Sequence, residues 1–133
     1  MSRTAATRVA YRRWFLLDGV VSGLNGVAYL ALASMLPNLL GGDAALYVIA
    51  GIVLIVVTVG LLVVARAARR PSTLPGLLVI INALWAIGSF AVVVAEPFGL
   101  TLVGALWCIA QGAIVLAFAI LQLLSLRRDG PAV

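Results

Sequence analysis

The chain has 133 residues, 65% of them hydrophobic and 10% charged, with a mean hydropathy of +1.24. A soluble domain is roughly half apolar and about a quarter charged, and a water-soluble fold of this length cannot hide so much apolar surface. There is no histidine and a single cysteine, Cys108, which excludes Ser-His and Cys-His catalysis, His-ligated haem, the usual zinc sites and an intrachain disulfide.

The net charge of +5 is distributed in an informative way. Every basic residue is Arg, and all lie in three short clusters flanking apolar runs. That is a topology signal and not a nucleic-acid footprint. Hydrocarbon about 30 Å thick needs around 20 apolar residues of helix, and four such runs follow one another. The first covers about 14–36, stops at Pro37 and is followed by a Gly41-Gly42 turn. The second covers about 44–64 and ends in Arg66, Arg69 and Arg70. Ser72-Thr73-Leu74-Pro75 then predicts a helix start, with a hydroxyl cap and Pro in the first turn. The third run covers about 74–95 and is stopped by Glu96-Pro97. Gly99 marks a tight turn, Thr101 a cap, and the fourth run covers about 100–124.

The length of each run argues for helix over membrane strand, and none alternates apolar with polar. An unbroken helix also satisfies its own backbone groups in lipid. The expected class is therefore all-α: a polytopic membrane protein built as a four-transmembrane-helix bundle. Arg3, Arg8, Arg12 and Arg13 precede the first span, Arg66, Arg69 and Arg70 join the second to the third, and Arg127 and Arg128 follow the fourth. The opposite loops carry only Asp43 and Glu96. The positive-inside rule makes the chain N-in/C-in, with cytoplasmic segments 1–13, 65–73 and 125–133. Ala31-Leu32-Ala33 resembles a signal cleavage site, but the run is long for a signal core and contains Asp18 and Asn25, so a retained span is expected. The two halves share an in–out–in pattern, with Asn25 and Asn82 in equivalent places, which fits either duplication or two hairpins obeying one charge rule.

Each span has one face that carries most of its polar or small residues. Asp18, Ser22, Asn25 and Tyr29 share an arc on the first span, and Tyr47, Gly51 and Thr58 line up on the second. Asn82, Trp85 and Ser89 do so on the third, and Trp107, Gln111, Phe118 and Gln122 on the fourth. Apolar residues of the first span contribute roughly −3 to −6 kcal/mol to insertion, against about +2.5 to +3.5 for a central Asp. That span is the marginal one, and its polar stripe needs protein partners. Asp18 is the sole carboxylate within a span and lies near the cytoplasmic interface. Two readings are open: a proton or cation site, or a structural pair with Arg13 or a loop Arg reached by snorkelling. Asn25, Asn82 and Gln111 lie nearer the midplane, where they suit either a small-molecule or lipid pocket or plain interhelical hydrogen bonding. Gly19, Gly23 and Gly26 permit close helix approach, within the chain or to a second copy.

Three strings carry a resemblance: Asp18-Gly-Val-Val-Ser-Gly-Leu-Asn25-Gly-Val-Ala-Tyr29-Leu-Ala, Asn82-Ala-Leu-Trp85-Ala-Ile-Gly-Ser89, and Trp107, Gln111, Phe118 and Gln122 ahead of Arg127-Arg128. They resemble small four-span integral membrane proteins of actinobacterial type, a resemblance that implies topology and class but no activity. It places the chain in a bacterial cytoplasmic (inner) membrane. Small multidrug exporters share size and span number, yet dual-topology members need near-zero charge bias, which nine one-sided arginines forbid. The expected role is a non-catalytic accessory, interaction or lipid-binding component with no cofactor. Its expected partners are the lipid bilayer and, as protein contacts, a larger membrane protein or a second copy meeting Gly19, Gly23 and Gly26. The alternative is a small permease or channel working as a parallel oligomer, with the Asp18–Asn25–Tyr29 face lining the path beside Asn82 and Gln111.

Overall fold

A computed structural model describes residues 2–128, with side chains from Tyr11 onward. The side chains of Arg3 and Arg8, and the chain from 129 on, lie outside the described residues. Five helices follow in order: α1 (Ser2–Leu32), α2 (Leu36–Leu40), α3 (Ala44–Arg66), α4 (Leu74–Ala95) and α5 (Leu102–Arg128). Four are long and apolar enough to cross a membrane, over Tyr11–Leu32, Ala44–Arg66, Leu74–Ala95 and Leu102–Arg128. The protein is an all-α, multi-pass membrane bundle. Its outer surface is a belt of Leu, Ile and Val, with Val94 87% and Leu102 76% exposed, as lipid-facing residues must be.

The helix ends differ from the sequence expectation in instructive ways. The first span stops at Leu32, not at Pro37. A turn over 33–35 intervenes, and Pro37 sits in the first turn of the short helix α2, where its missing N–H would be unpaired anyway. α3 and α5 run on through Arg66 and Arg127-Arg128, where cations oppose the negative end of the helix dipole. Asp43 caps α3 by accepting from the Leu46 N–H at 2.9 Å, and Thr101 caps α5 through the Gly104 N–H at 3.0 Å. The hydroxyl cap expected at Thr73 is not made, because that residue already has helical dihedrals. α4 ends on Glu96 in the left-handed region (φ 51°), and Pro97 forbids continuation.

The helices pair as two hairpins, α1 against α3 and α4 against α5, joined chiefly through α1 and α5. The glycine stripe explains the first pairing. A Cβ on Gly19 would meet Leu62, one on Gly23 would meet Thr58, and one on Gly26 would meet Leu54 and the Gly51 carbonyl. Of the two contacts open to this stripe, α3 of the same chain fills it.

One end of the bundle is closed by backbone. Gly41 and Leu100 form an isolated antiparallel bridge. The Thr101 N–H donates to the Leu40 carbonyl at 3.0 Å, and its hydroxyl donates to the Leu39 carbonyl at 2.7 Å. The other end is tied by arginines. Arg12 donates to the Ala67 and Ala68 carbonyls just beyond α3, and Arg70 donates to Leu126 in the last turn of α5. The arginine clusters among the described residues thus share one end, opposite Asp43 and Glu96.

Candidate functional site: a polar knot and an aromatic cavity

The polar faces do turn inward, but they form two separate assemblies and not one pocket. The inner assembly is centred on Asp18, which is 1% exposed. Its Oδ2 accepts from the side-chain amides of Asn82 and Gln122, both at 2.6 Å, and its Oδ1 accepts from the Ser22 hydroxyl at 3.0 Å. Asn82 also donates to the Gln122 carbonyl oxygen at 3.1 Å. Ser22 lies one helical turn above Asp18 on α1, while Asn82 and Gln122 arrive from α4 and α5. The knot therefore ties the first hairpin to the second. Tyr11, Phe15, Leu61 and Leu78 belong to one buried apolar cluster of the bundle.

Of the two readings open for Asp18, the arginine pair is not made among the described residues. The Arg13 guanidinium lies 5.0 Å from the centre of the Trp14 ring, and Arg12 reaches the end of α3. All three polar contacts of Asp18 are neutral donors. Donors of this kind satisfy a carboxylate, whereas a cation site would have to surround the ion with oxygens.

The second assembly occupies the other half of the bundle. The Trp107 indole N–H donates to the Tyr29 hydroxyl at 2.7 Å, and Asn25 stands beside that hydroxyl. The Trp85 indole donates to Gln111 Oε1 at 2.9 Å, Gln111 Nε2 donates to Ser89 at 2.9 Å, and Ser89 donates back to the Trp85 carbonyl at 2.8 Å. Tyr47 packs edge-on against Tyr29, with centroids 5.6 Å apart, and donates to the Gly41 carbonyl at 2.7 Å. Tyr29, Tyr47, Trp85, Ser89, Trp107 and Gln111 line a cavity of about 480 Å³ with walls chiefly from α3, α4 and α5, joined by Leu40 of α2 and by Phe98 and Leu100 of the turn after α4. Its rim includes the exposed α4 residues Leu84 and Gly88. Toward the arginine end, α3 and α4 meet closely, with Leu78 against Gly60.

The nine residues singled out from sequence are divided accordingly. Asp18, Ser22 and Asn82 are in the knot. Tyr29, Trp85, Ser89, Trp107 and Gln111 line the cavity, and Asn25 partners Tyr29 without lining it. The expected convergence of Asn25, Asn82 and Gln111 is not found: Asn82 belongs with Asp18, and Gln111 with Trp85. The second amide of the knot is Gln122, which is fully buried; the sequence puts it on the polar face of its helix without a site role. A depth signal was available. Asp18 lies five residues beyond Arg13, and Gln122 five before Arg127, so arginines marking one interface put both at one level. Tyr47 was likewise legible as a face residue but not as a cavity wall. No protein-family model, curated protein or solved structure matches this chain.

Proposed function

We propose that this chain is a non-catalytic component of a bacterial cytoplasmic membrane, with both termini in the cytoplasm, that binds an amphiphile within the bilayer. The observation that carries this reading is the cavity of about 480 Å³ between α3, α4 and α5. It has the size of small-molecule sites and their usual make-up: apolar and aromatic walls with a few polar groups. Its lining includes Leu84 and Gly88, which are exposed on the outer surface of α4, so a membrane-dissolved ligand would have a route that crosses no water. The one-sided arginines support the orientation, and the resemblance of the three sequence strings supports the bacterial membrane.

The permease alternative draws less support. The walls of this cavity do not include Asp18, and the Asp18 oxygens are engaged by protein donors. Gly88 gives the test, because a side chain added there meets nothing within 4 Å of its Cβ and points to the cavity rim. Gly88→Phe should fold, as judged by helical circular dichroism, and lose the amphiphile that native mass spectrometry detects on the wild-type protein released from membranes. Equal occupancy in the two proteins would defeat the reading.

A further inference from the structure

The arginines at one end of the bundle divide into two sets. Arg12 and Arg70 are engaged by the protein: Arg12 donates to the Ala67 and Ala68 carbonyls, and Arg70 to the Leu126 carbonyl at 3.1 Å. These contacts draw α1 to the end of α3, and the loop that carries Arg69 to the end of α5. Arg13, Arg66, Arg69, Arg127 and Arg128 are exposed. The acids of the chain lie elsewhere. Asp18 is buried in the knot, Asp43 and Glu96 stand at the opposite end, and only Asp129, outside the described residues, follows the last arginine. Exposed charges of one sign gathered in this way repel one another, and an anion brought among them relieves the repulsion.

Helix register indicates what carries that anion. Residues three or four apart share a helix face. Arg13 shares one with Leu16 and Leu17, Arg66 with Val63, Arg127 with Leu123, and Arg128 with Leu124, and each of these aliphatic residues is exposed. On three helices, then, a guanidinium stands about one turn, roughly 5 Å, beyond the belt that hydrocarbon covers. A phospholipid has the matching layout, with a phosphate joined to the head of its apolar chains. The planar guanidinium also suits phosphate, which it can hold by two parallel hydrogen bonds. From this register we propose that the arginine end is a docking surface for anionic phospholipid. The chains lie on the aliphatic belt, and the phosphate is held by Arg66 and Arg69 at the end of α3 and by Arg127 and Arg128 at the end of α5. A soluble polyanion would meet the same charge and leave the aliphatic half of the surface unused. The cavity occupies the other half of the bundle, so this proposal stands apart from what fills it.

Two lipids with identical chains separate charge from chain packing. Dioleoyl phosphatidylglycerol and dioleoyl phosphatidylcholine are each titrated onto the full chain in detergent micelles, and binding is read by native mass spectrometry. Phosphatidylglycerol should bind about tenfold more tightly or better. Arg66→Gln with Arg69→Gln, or Arg127→Gln with Arg128→Gln, should reduce that preference by about fivefold for each pair, and all four together should abolish it. Lysine at the same four positions keeps the charge and should keep most of the preference. Helical circular dichroism checks that each protein is folded, and the two pairs carry the comparison where the fourfold variant is not. Equal affinity of the wild type for the two lipids overturns the proposal, as does a preference untouched by the glutamines in folded protein. A lysine protein as indifferent as the glutamine one also overturns it, since charge would then not be the cause. Tighter binding of a soluble decaglutamate peptide than of phosphatidylglycerol overturns it in favour of an acidic protein partner.

Discussion

A carboxylate inside a bilayer invites a functional reading, and its immediate neighbours decide between work and support. Placing Asp at the centre of a span costs about 2.5–3.5 kcal/mol on the insertion scale. Interhelical hydrogen bonds in membranes contribute around 0.6 kcal/mol each on average, so the two that reach Asp18 from α4 and α5 return about 1 kcal/mol of that cost. The arrangement also predicts how substitutions behave. In Asp18→Asn the carbonyl oxygen takes the place of Oδ2 and keeps both amide donors, while the new NH₂ donates to Ser22, whose hydroxyl reverses. That variant should lie within about 1 kcal/mol of wild type. Asp18→Leu strands the Asn82 and Gln122 amides and should cost about 2–4 kcal/mol. Reversible unfolding in mixed micelles measures both, and an Asp18→Asn protein as unstable as Asp18→Leu would contradict the structural role. At this scale the sequence was partly legible. Identity, depth and face of Asp18 followed from helical spacing and the arginine boundary. Its partners did not, because spacing within a helix says nothing about which neighbouring helix faces it.

Between elements, small residues set the distances and arginines finish the ends. Gly104 is the tightest point: a Cβ there would overlap the Leu40 carbonyl oxygen, which has no flexible end to move aside. Gly104→Ala should therefore destabilise the bundle by about 3 kcal/mol or more, at or beyond the usual range for overpacking. Gly88→Ala meets open space on a helix and should be neutral or raise stability by up to about 1 kcal/mol. Thermal unfolding of the two variants in one detergent gives the comparison, and equal melting temperatures would contradict the packing described. At the arginine end, Arg12→Leu removes two charge-assisted bonds to the carbonyls of 67 and 68. It should lower stability by about 1–2 kcal/mol and speed amide exchange in the last turn of α3, measured by hydrogen–deuterium exchange. The spans themselves were readable because lipid demands long uninterrupted apolar runs. The separate helix α2 was not, because a proline that stops one helix and a proline that starts the next are the same local signal.

For the whole molecule, two closures of different kind hold the bundle, backbone at one end and arginine side chains at the other. The topology is checked by single cysteines placed in a Cys108→Ala background. Phe98→Cys should react with an impermeant maleimide added outside intact cells, and Ser72→Cys only after the membrane is opened. Labelling of both from one side would contradict the orientation proposed. The count of spans was fully legible in the sequence, and the division of the polar residues into knot and cavity was not, since it depends on how two hairpins stack. The knot also bears on biosynthesis. Ribosomes deliver the first span early, when Gln122, 104 positions further on, has yet to be made. Until then Asp18 has only Ser22 of its own helix and, later, Asn82. The nascent protein thus passes through a stage with a partly dressed acid in lipid, and release from that stage waits on translation of the last helix.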